Sequence, residues 1–142
     1  MKFIILSNGR PVRVDNDKHE ELSKYKWQDN GKGYAKSGDV YMHHLITGWK
    51  YVDHKSGDVF DNRLCNLRKS SPQTNQYNRS KNKNNTSGFK GVFRASNSKT
   101  FRARIRVNKK QIHLGSFKTA KQAHEAYCSA AKKYHGEFFR GE

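Results

Sequence analysis

Cross-linking chemistry is scarce in this chain. Its 142 residues include two cysteines, Cys65 and Cys128, far apart and outside any Cys-x-x-Cys pair. That spacing argues against a zinc ribbon or knuckle, and a reducing compartment disfavours a disulfide, so both are expected as buried free thiols. Hydrophobic residues make up 33% and the mean hydropathy is −1.09, so any core is thin and split. No apolar run is long enough to span a bilayer, and the apolar stretch at residues 3–6 is too short for a signal peptide before the Ser7-Asn8-Gly9 turn. The expectation is a soluble intracellular protein with no membrane partner. Acidic residues are the most telling shortage. There are 12 against 29 Lys and Arg, a net charge of +17, and none lies between Asp61 and Glu125. A surface that positive repels itself unless a polyanion meets it.

Against that background, residues 52–75 carry a set of chemically useful side chains: Asp53-His54, then Asn62, Asn66-Leu67 and Asn75. Singly, an Asp-His pair or an Asn-rich loop is ordinary surface, since Asn suits turns. Together they offer more. A carboxylate and carboxamides are hard oxygen donors of the kind Mg²⁺ or Mn²⁺ prefers. A neutral imidazole can take a proton from water. These are the parts needed to hydrolyse a phosphodiester.

The patterning gives short elements. Strands are expected at 3–7 and 12–14 around Asn8-Gly9, then a helix at 18–26 with Leu22 and Tyr25 inward. Residues 33–37 and 40–43 read as a hairpin around Gly38-Asp39, and 52–54 as a strand with 67–69 pairing back. Ser71-Pro72 starts a helix to about residue 79, with Ser as N-cap and Asn75 on the first turn. Residues 80–87 are a polar, low-complexity linker. Beyond it the pattern changes. Phe101, Ala103, Ile105 and Val107 fall on one face of a strand, and Arg102, Arg104 and Arg106 on the other. Asn108 to Lys110 make a turn, residues 111–114 continue the alternation, and an earlier strand at 89–94 completes a three-stranded meander. A helix follows, opened by the capping box Thr119-Ala120-Lys121-Gln122, with Ala123, Ala126, Tyr127, Ala130, Ala131 and Tyr134 at helical spacing, Tyr127 and Tyr134 in the core, and Gly136 as terminator. The expected class is α+β in two domains, 1–79 and 88–142, joined by 80–87.

Two resemblances sharpen this. Asp53-His54, Asp61-Asn62-Arg63, Asn66-Leu67 and Asn75, with Tyr41-Met42-His43-His44-Leu45 upstream, resemble the HNH nuclease family over residues 34–78; His44 stands where Arg is usual. The resemblance implies a ββα-metal core, Asp53 and Asn75 as ligands of a divalent ion (Mg²⁺ or Mn²⁺), His54 as general base, and Asn66 holding the His54 loop or ring. His43 would be catalytic, bind phosphate or pack. One such site cuts one strand, so a monomer would nick and a homodimer could break both. Ser87-Gly88-Phe89-Lys90-Gly91-Val92, Phe101 to Arg106, Leu114-Gly115-Ser116-Phe117, Ala126-Tyr127, Ala130-Ala131 and His135-Gly136 resemble the ethylene-response-factor (AP2) DNA-binding domain, with Phe101 where Trp is common and Cys128 where Asp is common. That resemblance implies a sheet in the major groove of double-stranded DNA. Lys90, Arg94, Arg102, Arg104, Arg106, Gln111 and His113 are candidate contacts, and Lys81, Lys83, Lys109 and Lys110 candidate phosphate partners. No small-molecule cofactor is expected. The pairing points to a phage or mobile element acting in a bacterial cytoplasm. The competing readings are a DNA-binding regulator with a degenerate nuclease domain and a basic RNA-binding protein.

Overall fold

The computed structural model describes residues 1–140, a mixed α+β chain of small antiparallel sheets and a few helices. It divides into two compact units, one ending at Asn75 and the other beginning at Gln76.

In the first unit β1 (Lys2–Ile5) pairs antiparallel with β2 (Pro11–Val14), Ile4 opposite Val12. The pleat sends Ile4, Val12 and Val14 into the core and leaves Phe3 and Ile5 exposed. Helix α1 (His19–Leu22) is a single turn. The longer helix expected at 18–26 does not form. Leu22 is fully buried, and its carbonyl, which residue 26 would need in a continuing helix, takes the Trp27 indole N–H at 2.7 Å. Tyr25 is accordingly exposed. β3 (Gln28–Asp29), β4 (Ala35–Ser37) and β5 (Val40–Tyr41) form a sheet with β4 in the middle. The strand expected to run to His43 instead stops at Tyr41, and α2 (Met42–Thr47) begins. Helical spacing lets Met42, Leu45 and Ile46 all face the core of Ile4, Leu6, Val12, Val14 and Trp27. Gly48, at φ 67°, closes the helix in the left-handed conformation that glycine adopts without a Cβ clash.

β6 (Val52–His54) pairs antiparallel with β7 (Leu67–Lys69), Asp53 opposite Arg68 and His54 opposite Leu67. The intervening loop ends in a 3-10 turn, Leu64–Asn66, that turns Asn66 inward and leaves Cys65 exposed, contrary to the buried thiol expected there. Helix α3 (Pro72–Tyr77) starts where Ser71-Pro72 predicts and ends two residues early.

In the second unit β8 (Val92–Phe93), β9 (Phe101–Val107) and β10 (Lys110–Phe117) form a sheet ordered β10-β9-β8. The first strand is much shorter than the expected 89–94. Asn108 and Lys109, both at positive φ (49° and 65°), make the tight turn between β9 and β10. Helix α4 (Ala120–His135) opens with the expected capping box: Thr119 Oγ1 accepts from Gln122 N, and the Gln122 side chain accepts from Thr119 N. Its inward stripe is Ala123, Tyr127, Ala131 and His135, a run of i, i+4 steps. Tyr134 lies off that stripe and is exposed, not core as its spacing had predicted. Gly91, at φ 76°, sits against Tyr127; a Cβ there would fall 2.0 Å from Tyr127 Cδ2. No helix among the described residues is long and apolar enough to cross a membrane.

Candidate active site

β6 delivers Asp53 and His54 side by side, both buried. Sequence reasoning missed the partner of Asp53. Arg68, directly across the β6–β7 ladder, donates Nε and Nη2 to Asp53 Oδ2 at 2.7 and 2.6 Å. A buried carboxylate needs such a countercharge, and the register supplies it.

Asn62 holds the Nε2 edge of His54. Its Nε2 lies 3.2 Å from Asn62 Oδ1, and Asn62 Nδ2 donates to Val59 O at 3.4 Å. The amide oxygen is therefore the end that faces the ring, and it can only accept. Neutral His54 carries its proton on Nε2 and its lone pair on Nδ1. Asn62, 1% exposed, is itself fixed by β2: Arg13 N donates to Phe60 O and Asn62 N donates to Arg13 O, each at 2.8 Å. Asn66 does a different job. Its Oδ1 accepts from Ser56 N at 3.0 Å and its Nδ2 donates to Asp61 O at 2.8 Å, while its carbonyl accepts from Lys55 N at 2.8 Å. So Asn66 clamps the loop and Asn62 orients the ring. Burial pushes the His54 imidazole below its ordinary value; the Asn62 bond and the carboxylates of Asp53, Asp58 and Asp61 oppose that without overcoming it. The His54 imidazole is thus neutral at pH 7. His43, on α2, is buried with its ring 5.4 Å from that of His54.

Asn75 comes to the same strand. Its Nδ2 donates to Val52 O at 3.4 Å, one residue before Asp53. Its Oδ1 is buried with no hydrogen-bond partner. Native structures rarely leave such an atom orphaned without a ligand in view.

The basic sheet face lies in the second unit. Arg102, Arg104 and Arg106 are exposed, with His113 opposite Arg104 and Gln111 opposite Arg106. The Arg104 guanidinium stands 4.3 Å over the Phe93 ring. In the amide orientation that satisfies both ends, Gln111 accepts from Arg104 Nε and Nη1 at 3.2 and 2.9 Å. Arg94 lies 5.5 Å over Phe101 and donates Nε to Ser98 O at 2.6 Å. Lys109 and Lys110 are exposed at the β9–β10 turn. Lys90 is placed differently: its ammonium donates to Tyr77 O at 2.9 Å, the last carbonyl of α3. Lys81 donates to Gly88 O at 3.0 Å.

An uncharacterized HNH endonuclease of Acanthamoeba polyphaga mimivirus is 31% identical to this chain over 96% of it and 78% of the relative. The chain belongs to the HNH endonuclease family. Protein 3.8 of Escherichia phage T7 is 30% identical over 63% of this chain and 74% of the relative. No family model matches, and no solved structure does. A divalent metal is the cofactor an HNH endonuclease implies, and the residues present fit one. Among the described residues no group of three or more His, Cys, Asp or Glu could hold an ion. What this HNH site offers is one carboxylate, Asp53, and the orphaned Asn75 Oδ1. Two hard oxygens suit Mg²⁺ or Mn²⁺, which keep waters and take substrate phosphate oxygens for the rest. A carboxylate has about four acceptor sites, so one paired with an arginine can still take a metal ion.

Proposed function

We propose that the chain is a metal-dependent endonuclease of double-stranded DNA. Its catalytic part is a ββα-metal core made of β6, β7 and α3, and its targeting part is an AP2-type domain made of β8 to β10 and α4. The observation that carries the reading is the His54–Asn62 pair beside Asp53 and the buried, orphaned oxygen of Asn75. Asp53 and Asn75 would hold the ion, which when bound supplies Lewis-acid neutralisation of the scissile phosphate.

The rest is done by side chains. His54 Nδ1 takes the proton of the attacking water as the new O–P bond forms, and the 3′ oxygen leaves as an alkoxide that takes a proton from solvent. Asn62 keeps that lone pair on Nδ1 by holding the Nε2 proton. Arg68 balances Asp53, and Asn66 keeps the loop closed under His54. Arg102, Arg104 and Arg106 with Gln111 and His113 read or grip the major groove, and Lys109 and Lys110 meet phosphates. Acting as a monomer the protein nicks; as a homodimer it breaks both strands. Cytoplasm of a host cell is the compartment this reading implies.

A supercoiled-plasmid assay tests it. Wild type should relax plasmid in Mg²⁺ or Mn²⁺ and stop in chelator, and Asn75→Ala should lose most of that activity. A wild type that binds duplex and never cuts it, with either ion, would make the protein a regulator built on a silent nuclease core.

A further inference from the structure

The three arginines on the outer face of β9 are not equivalent. Arg102 and Arg106 are exposed, and among the described residues their guanidinium groups make no hydrogen bond, ion pair or ring contact. Arg104, between them, is held from both sides. Its guanidinium stands 4.3 Å from the centre of the Phe93 ring on β8. Gln111, on β10, offers its amide oxygen to Arg104 Nε at 3.2 Å and Nη1 at 2.9 Å. The ladder makes this possible. Phe93 pairs with Arg102 and Gln111 with Arg106, so each stands diagonally from Arg104, within reach of a long side chain. Solvent competes for exposed contacts of this kind, and they add little to the stability of a fold. What they do here is select one geometry for one cation.

We infer that Gln111 and Phe93 are positioning residues that aim Arg104 at a guanine edge in the major groove, which makes Arg104 the base reader of this sheet and leaves Arg102 and Arg106 to phosphates. A guanidinium is a planar fork of N–H donors. With Gln111 on Nε and Nη1, the donors that remain lie on Nη1 and Nη2, and Nη2 has no partner among the described residues. Guanine presents two acceptors, O6 and N7, to the major groove, and a paired arginine contact is the commonest way to read them. A side chain ordered before binding avoids the entropy that a mobile one loses on contact. Phosphate contacts position a protein without specifying sequence, so they gain less from such aiming. Gln111 is a poor reader in its own right. Glutamine reads adenine by accepting from N6 and donating to N7. Its oxygen has two lone pairs, and Arg104 takes both. The groove-reading half of this inference rests on the function proposed above; the placement of Arg104 on the sheet does not.

The test uses full-length chains: wild type, Gln111→Ala, Arg104→Ala, the double variant and Phe93→Leu. The probes are a duplex selected from a random pool by the wild type, and copies in which one G·C pair at a time becomes A·T. ¹⁵N NMR of the arginine Nε–H groups, with no DNA present, reports which guanidinium is held. Wild type should lose roughly 5–150-fold in affinity when one particular G·C pair is replaced. Gln111→Ala should bind the selected duplex about two- to tenfold more weakly, the usual cost of ordering one long side chain, and should bind the copy lacking that pair as the wild type does. Phe93→Leu, which keeps apolar bulk and loses the ring face, should act in the same direction. Adding Gln111→Ala to Arg104→Ala should weaken binding no further, because the two act as one unit. The Arg104 Nε–H signal should stand apart in the wild type and join those of Arg102 and Arg106 in Gln111→Ala. A Gln111→Ala that adds its full loss to that of Arg104→Ala would overturn the inference, since Gln111 would then touch DNA itself. So would an Arg104 Nε–H signal that ignores Gln111→Ala, or a selected duplex in which no G·C replacement separates wild type from Arg104→Ala. If the wild type selects no sequence, the targeting reading fails and the guanine assignment with it, while the Nε–H signals still decide whether Gln111 holds Arg104.

Discussion

Residues 1–75 hold 13 basic and nine acidic side chains, and most of the acids are folded against partners; from residue 76 on, 16 basic side chains meet three acids. The net charges are therefore +4 and +13. In the first unit charge is turned inward or paired: Asp53 with Arg68, Asp61 with Arg63 at 2.6 Å, Asp58 with Arg13. Asp61 is held below the usual carboxylate range chiefly by its Arg63 bond. In the second unit the sheet arginines face outward, and Arg94 and Arg104 lean on rings. Buried polar groups have one workable geometry, because leaving any of them unmatched is costly. Exposed cations tolerate many geometries and wait for a polyanion. In the function proposed above, one unit fixes atoms for chemistry and the other attracts and holds DNA.

The contrast can be broken at its strongest point first. Arg68→Ala removes the countercharge that donates twice to the buried Asp53 carboxylate and should destabilise the first unit by about 3–5 kcal/mol. Both tryptophans, Trp27 and Trp49, lie in that unit, so the melt of tryptophan fluorescence reports it alone. The second unit should be untouched, as read by NMR signals of Tyr127 and Ala131. Gly91→Ala is the mirror experiment. Its Cβ would overlap Tyr127, and overpacking at a strained φ should cost the second unit roughly 1–3 kcal/mol or more, with the fluorescence melt unchanged. A single shared transition for both variants would mean the two units do not melt separately.

A smaller effect concerns pH. His135 is buried with Nδ1 unpartnered; Nε2 bonds Arg106 O at 3.1 Å, and its ring stacks on Tyr77 at 3.8 Å and 8°. Burial lowers its pKa, the Arg106 bond opposes this, and Lys90 adds to the lowering. The folded state thus binds fewer protons than the unfolded one near pH 6. Stability from this source is complete above the unfolded value near 6.5, falls as pH drops through it, and levels off below the folded value. His135→Phe keeps the stack, loses the Arg106 bond, and should lower stability at pH 7 while flattening its slope between pH 7 and 5. An unchanged slope would assign the dependence to other groups.

How much of this could be read in advance follows from the range of each signal. The alternation of Phe101 to Val107 and the Thr119 capping box are local, and both appear as expected: Ala103 and Ile105 are buried, Arg102, Arg104 and Arg106 exposed. α2 was not foreseen because Met42, Leu45 and Ile46 fit a helix only once Gly48 is taken as its terminator. Tyr134 was misplaced because the inward stripe continues from Ala131 to His135, and a buried histidine is the less expected choice. Arg68 was recoverable: pairing 52–54 with 67–69 sets it opposite Asp53. Asn62 stood in the motif, but its bond to His54 depends on a loop pinned by Arg13 from a distant strand. The bond from the Lys90 ammonium to the last carbonyl of α3 is a contact that charge alone does not foretell.

The division of labour itself is tested most directly by two full-length variants measured for both binding and cutting. Duplex Kd would be taken on a selected and a scrambled site, and the cleavage rate at saturating DNA. His54→Ala should keep the wild-type Kd and lose about 10²–10⁴-fold in rate, the usual cost of a general base. Arg104→Ala should weaken the selected site by about 1–3 kcal/mol, blur its preference over the scrambled one, and cut at the wild-type rate once saturated. If His54→Ala cuts at near wild-type rate, or Arg104→Ala loses rate at saturation while keeping its Kd and preference, chemistry and recognition are not divided between the units in this way.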